Sequence, residues 1–305
     1  MNRHIGLGIL LALSLTACNQ RQTGSISDEV RSFYQFPEEG REYIPVQDRG
    51  FSKYYARSLY GSRKVALTFD DGPHPTRTAK LLDILADYDV KATFFVLAEK
   101  INARTLPIVQ RILEEGHHLA SHDWDHDNNN VESENKHFAE LLRSVQAIEQ
   151  VERELGVEQR ELYYRYPYGA YGRNKDYHHL NVMKDVSDKI YGENCINFVF
   201  WDIDTSDWLS KMTAQNIADN IVANIDGGVA YRHKRVRGKF VKDEYRIDSP
   251  IGGGVVLMHD IHRRSVEATQ IFLEYAANSD VEIVPLSDVQ EYSFTGHECR
   301  VKTDG

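Results

Sequence analysis

From Lys64 onward, apolar and polar positions keep two alternating rhythms. Short apolar or β-branched runs of strand length fall at 65–69, 92–97, 118–121, 162–166, 198–203, 255–258 and 281–284. Longer stretches with helical spacing lie between them, at 76–88, 105–115, 133–155, 174–190, 213–225 and 265–277. Leu81, Leu82 and Leu85, and then Leu141, Val145 and Ile148, show that spacing most clearly. Seven strands alternating with helices predict an α/β fold of parallel strands joined by right-handed crossovers. A doubly wound sheet and a (β/α) barrel both satisfy the pattern, and both put a ligand site at the carboxyl ends of the strands. Residues that do chemistry should therefore follow the strands.

The chain before residue 62 lacks this rhythm. Arg3, an apolar run from Ile5 to Leu15 and small residues before Cys18 read as a signal peptide over 1–17, too short to span a membrane. The ending L-T-A-C, Leu15 to Cys18, resembles the lipobox of bacterial lipoproteins, which implies cleavage before Cys18 and lipidation of its thiol. An ordinary signal peptide with a free Cys18 is the alternative. Residues 18–61 read as a tether and irregular extension, tied down by Phe51, Tyr54 and Tyr55, and 62–305 as one catalytic domain. The expected location is the periplasmic side of the cell envelope, with the membrane contacted through the lipid anchor only. Asn19 after the lipidated Cys suits outer-membrane sorting in a Gram-negative cell. Cys195 and Cys299 remain, and spacing leaves open whether they pair.

Composition narrows the partners. The 305 residues are 41% hydrophobic and 27% charged, ordinary for a globular protein, and the net charge of −10 argues against nucleic-acid binding. A monomer is the expectation.

Chemistry does follow the strands. The first run stops at two adjacent carboxylates and a Gly-Pro turn, T-F-D-D-G-P from Thr68 to Pro73. Burying two such acids costs several kcal/mol unless a metal ion or an Arg compensates them; a solvated D-G turn is the bland reading. After the third run, His122 and His126 stand four apart, which on a helical turn puts both imidazoles on one face. With one carboxylate they make a His-His-Asp set with open positions, the catalytic pattern for zinc, although iron, cobalt or manganese also accept it. The fourth run leads into R-Y-P-Y-G, with Arg165 available for one of the acids, and the fifth into D-T-S-D-W, with Asp207 and Trp208. The sixth ends L-M-H at His259. Alone, each is more often a surface turn, a core ring or a structural His; together they mark one site.

These five stretches resemble, in order, the motifs of the polysaccharide deacetylases, the NodB-homology carbohydrate esterases. The resemblance implies a distorted (β/α) barrel with about seven parallel strands, and metal-dependent hydrolysis of N-acetyl groups on a sugar polymer. It implies Asp71, His122 and His126 as metal ligands, zinc first among the metals, and Asp70 as general base held by Arg165. His259 would be the general acid, its pKa raised by Asp207. Tyr168 would offer a backbone N–H to the oxyanion and, with Trp208, wall the groove, while Leu257 would line the acetyl-methyl pocket.

Two features depart from the family's pattern. Asp123 stands where a Ser or Thr usually follows the first metal His; its side chain can still accept backbone N–H bonds, though its charge adds to the site. Residues 227–253 form an insertion with seven basic residues from Arg232 to Arg246. That stretch reads either as a solvated hairpin or as one bordering the groove and contacting anionic substrate. The expected substrate is cell-wall polysaccharide, peptidoglycan first. A chitin-oligosaccharide or poly-N-acetylglucosamine deacetylase is the nearest alternative, followed by a non-catalytic glycan-binding protein and a barrel phosphoesterase.

Overall fold

The computed structural model describes residues 55–157, 159, 162–171, 179–192, 195–292 and 301. Cys18, the proposed signal peptide and most of the expected tether lie outside them. The last residues of that stretch, 55–61, are packed onto the domain: Ala56 and Leu59 are buried, and the Ala56 N–H and Tyr60 hydroxyl donate to Asp202 at 3.0 and 3.3 Å.

The sheet is organised around β1 (Lys64–Asp70), buried at every residue after Lys64. It pairs in parallel with β2 (Thr93–Val96) on one side and β9 (Gly254–His259) on the other. Beyond β2 come β3 (His118–Ser121), β4 (Leu162–Tyr164) and β5 (Ile196–Phe198); beyond β9 comes β6 (Ile203–Asp204), and β10 (Glu282–Ile283) pairs with the start of β1. A strand covered on both faces must be apolar throughout, which is why these runs do not alternate.

Among the described residues six helices surround this partial barrel: α1 (Arg77–Asp87), α2 (Leu106–Glu114), α3 (Glu134–Leu155), α4 (His179–Ile190), α5 (Ala214–Asp226) and α6 (Arg263–Ala277). The apolar stripes point inward, with Leu81, Leu82 and Leu85 of α1 and Leu141, Val145 and Ile148 of α3 buried. Each such side chain contributes about 1.5–3 kcal/mol by leaving water. Local chemistry fixes the helix ends: Ser133 caps α3, Gly156 takes a left-handed conformation after it, and Thr213 with Asn216 forms a capping box on α5.

One expected strand is divided. The run 198–203 holds the end of β5 and the start of β6, which lie at opposite edges of the sheet. Between them the chain crosses from edge to edge, the Val199 N–H bonding the Tyr164 carbonyl and the Asp202 N–H bonding the Val255 carbonyl, at 2.8 and 2.9 Å. Reaching both edges in so few residues forces the middle of the run out of either ladder.

The insertion is an antiparallel hairpin of β7 (Gly228–Val236) and β8 (Lys239–Ile247). Arg237 and Gly238 both have positive φ at its tip, 49° and 79°, the requirement of a two-residue turn matched to strand twist. Cys195 is buried and disulfide-bonded, while Cys299 lies outside the described residues.

Candidate active site

The ends of β1, β3, β4 and β9 converge. Asp71 follows β1 in a left-handed conformation, φ 72°, and its Oδ1 lies 3.6 Å from His122 Nε2 and 3.3 Å from His126 Nε2. A loop brings the two imidazoles together, in place of the expected helical turn. Asp123 and His126 take positive φ, 71° and 68°, so the chain folds back and the rings meet at 5.1 Å between centroids. His122 Nδ1 sits 2.8 Å from the Arg165 carbonyl, which fixes N–H on that nitrogen and turns the lone pair of Nε2 to the site. Burial lowers the His122 pKa to about 3, keeping the ring neutral, the form that binds metal. Asp71 Oδ1 is buried without a hydrogen-bond partner, and the three donor atoms lie within 4.8 Å of one another. A buried carboxylate oxygen left orphaned between two imidazole lone pairs fits a divalent metal.

Asp70 stands beside this set, buried at the end of β1. Arg165 Nη1 donates to its Oδ1 at 2.7 Å, and Oδ2 faces His122 Nε2 at 3.6 Å. The fully buried guanidinium also donates to Thr68 Oγ1 at 2.8 Å and to the Val199 and Phe200 carbonyls at 3.0 and 3.1 Å. Those carbonyls belong to the segment between β5 and β6, so Arg165 satisfies groups that the divided strand would otherwise bury unpaired. Burial raises the Asp70 pKa, and Arg165 offsets the rise only in part.

His259 stands at the end of β9, paired in register with Asp70. Its Nδ1 lies 2.7 Å from Asp207 Oδ1, while its N–H and the Ser265 hydroxyl donate to Asp207 Oδ2 at 2.7 and 2.5 Å. Burial pushes the imidazole pKa down, but Asp207 outweighs it and raises the value to about 10, so His259 is protonated at neutral pH.

Residues 59–185 match the family model described as polysaccharide deacetylase. The segment is thus similar to the polysaccharide deacetylases. The peptidoglycan-N-acetylglucosamine deacetylase PgdA of Listeria monocytogenes is 28% identical over 75% of this chain and 39% of its own length. A peptidoglycan-N-acetylglucosamine deacetylase of Bacillus cereus is 32% identical over 59% of this chain and 58% of its own. The chain thus spans less than two thirds of these relatives. The structure of the peptidoglycan deacetylase PdaC from Bacillus subtilis superposes with a TM-score of 0.54, at 24% identity over 77% of this chain and 92% of that one, which shows a shared fold.

Against the deacetylase pattern, Asp123 turns away from the metal-ligand set. Its Oδ1 accepts the Trp124 N–H at 2.9 Å, and its Oδ2 accepts from Asn129 Nδ2 and the Tyr164 hydroxyl, both at 2.8 Å. Burial raises its pKa to about 6, with these bonds opposing. Tyr168 lies edge-on to His126 at 4.5 Å with its ring largely exposed, and φ is 59°. Leu257 is buried two residues before His259. Trp208 packs against the hairpin, 4.9 Å from the His233 ring and 5.4 Å from that of Phe240.

Four supporting residues carry no motif of their own. Lys100 Nζ donates to the Asp71 carbonyl at 2.8 Å, and Arg264 Nε donates to the Asp207 carbonyl at 2.7 Å. Ser265 holds the Asp207 carboxylate. Asp260 packs so closely on Gly72 that a Cβ there would meet its Oδ2 at 2.4 Å, while Thr78 donates to that carboxylate at 2.5 Å. Asp260 adjoins His259 in sequence, yet only the fold reveals that it supports the Asp71–Gly72 turn.

Proposed function

We propose that the protein is a metal-dependent hydrolase that removes N-acetyl groups from N-acetylglucosamine residues of cell-wall polysaccharide, with peptidoglycan the first candidate. The observation that carries this reading is a base-and-acid pair, Asp70 and His259, side by side at the ends of the paired strands β1 and β9 and next to the Asp71–His122–His126 set. Deacetylation of peptidoglycan by the Listeria and Bacillus relatives supports the choice of polymer. Zinc suits two neutral imidazoles and one carboxylate with positions left open.

When bound, such a metal supplies Lewis-acid polarisation and lowers the pKa of water from about 15.7 to about 7. The chain's own groups perform the proton transfers. Asp70, its Oδ1 occupied by Arg165, uses Oδ2 to take a proton from the attacking water, and its raised pKa makes it a stronger base for that step. A C–O bond forms at the acetyl carbon, and the backbone N–H of Tyr168 offers a donor to the developing oxyanion. His259 delivers its Nε2 proton to the departing nitrogen, and the C–N bond breaks to give acetate and a glucosamine amine. Asp207 keeps His259 charged until then. At the other end of the chain, lipidation at Cys18 would hold the enzyme at the envelope, and Cys18→Ser should then move it from the membrane to the soluble fraction.

The deciding experiment is acetate release from peptidoglycan and from chitopentaose, with the protein stripped of metal and then reloaded with zinc. Release that appears only with zinc supports the reading. A zinc-loaded protein that frees acetate from neither polymer sinks it.

A further inference from the structure

Building on the deacetylase reading, we propose that the β7–β8 hairpin is a capture arm for carboxylate-bearing glycan, selecting anionic over neutral polymer for the adjacent site. Its twenty residues carry seven cations and two carboxylates, a charge of +5 within a chain of −10. A single large field opposite in sign to the rest of the molecule concentrates ligands of the complementary charge.

The arm is fixed to the catalytic machinery. A lone two-stranded hairpin is marginally stable in water; here Asn220 of α5 holds its base. The Asn220 Oδ1 accepts the Tyr231 N–H at 2.6 Å, and its Nδ2 donates to the Tyr231 carbonyl at 2.7 Å and to the Thr205 carbonyl at 2.9 Å. One side chain therefore joins the hairpin to the loop that carries Asp207. Trp208, the next residue after Asp207, meets His233 and Phe240, whose rings lie 5.4 Å apart.

The register decides what that face presents. Arg235 opposes Phe240 and His233 opposes Lys242, and directly opposed residues share a face. Rings and cations thus stand together, with Phe240 still 53% exposed and the Arg235 guanidinium 6.0 Å from its ring. Aromatic faces suit the C–H faces of sugars, and guanidinium forks suit carboxylates.

Charge pairing separates the base of the hairpin from its tip. Arg232 and Lys234 pair with Asp243, and Arg246 with Asp248. Among the described residues no ion pair involves Arg235, Arg237 or Lys239, so the tip cations keep their charge available for a ligand. A neutral chitin chain offers them nothing; the stem-peptide carboxylates of peptidoglycan do.

The test compares wild type with the triple variant Arg235→Glu, Arg237→Glu, Lys239→Glu. The readouts are co-sedimentation with insoluble peptidoglycan, acetate release from peptidoglycan and chitopentaose, and binding to anionic phospholipid vesicles. The variant should bind peptidoglycan about tenfold more weakly, with a loss in kcat/KM on that polymer several times its loss on chitopentaose. The gap should close at 1 M salt, where the screening length is about 3 Å. A Gln triple variant should fall between the two, which separates charge from misfolding. Equal losses on both polymers, or unchanged sedimentation, overturn the proposal. Lost vesicle binding with sedimentation intact also overturns it and assigns the tip to a membrane surface. Should wild type free no acetate at all, the deacetylase reading falls, while charge-dependent sedimentation would still establish the capture arm.

Discussion

Two buried charge pairs flank the candidate metal site, and each joins an aspartate to a cation. In the proposed mechanism the acid is the working group of the Asp70–Arg165 pair and the cation that of the Asp207–His259 pair. The difference lies in how many donors each carboxylate receives. Asp70 takes one strong bond on Oδ1 and keeps Oδ2 facing the site, so burial wins and its pKa rises. Asp207 receives two donors on Oδ2 and the imidazole on Oδ1, so its pKa stays below the ordinary value despite burial. The charge of the partner, with hydrogen bonding to the charged form behind it, decides which aspartate can accept a proton.

The contrast can be broken at its extremes. The largest effect is expected from Asp70→Asn, which keeps shape and removes the base: kcat should fall about 10²–10⁴-fold with zinc affinity retained. A variant that keeps wild-type turnover would remove Asp70 from the mechanism. Next comes Arg165→Met, which strands a buried carboxylate and the Val199 and Phe200 carbonyls together. Breaking a buried pair costs about 3–5 kcal/mol, and denaturant melts of the two proteins would measure it; an unchanged midpoint would contradict the role given to the guanidinium. The smallest is Asp207→Asn. Because His259 must be protonated to act as an acid, activity should fall as pH rises through its pKa of about 10. Without Asp207 that alkaline limb should move down toward neutrality, with turnover at pH 7 reduced about tenfold as the imidazole loses its proton. A pH–rate profile with an unmoved limb would assign the acid elsewhere.

The strand-end rule led from sequence to Asp70, Asp71, Arg165 and His259, because parallel strands carry their chemistry at one rim. The i, i+4 spacing of His122 and His126 picked two residues that the structure does bring together, though not on a helical turn: left-handed backbone at Asp123 and His126 leaves no periodic trace. The division of 198–203 was equally hidden, since an apolar run looks the same in one ladder or shared between two edges. Lys100, Asp260, Arg264 and Ser265 were illegible for another reason. Each acts on a partner far away in sequence or through a backbone atom, and helix periodicity records only which residues face inward.

Arg165 has a consequence for how the molecule fails. The side chain that aligns the base also stitches the two margins of the sheet through the Val199 and Phe200 carbonyls. A chain whose seam has parted, whether newly made or heat-damaged, loses that alignment at the same moment. Any hydrolysis that depends on Asp70 should therefore fall silent at local opening, before global unfolding.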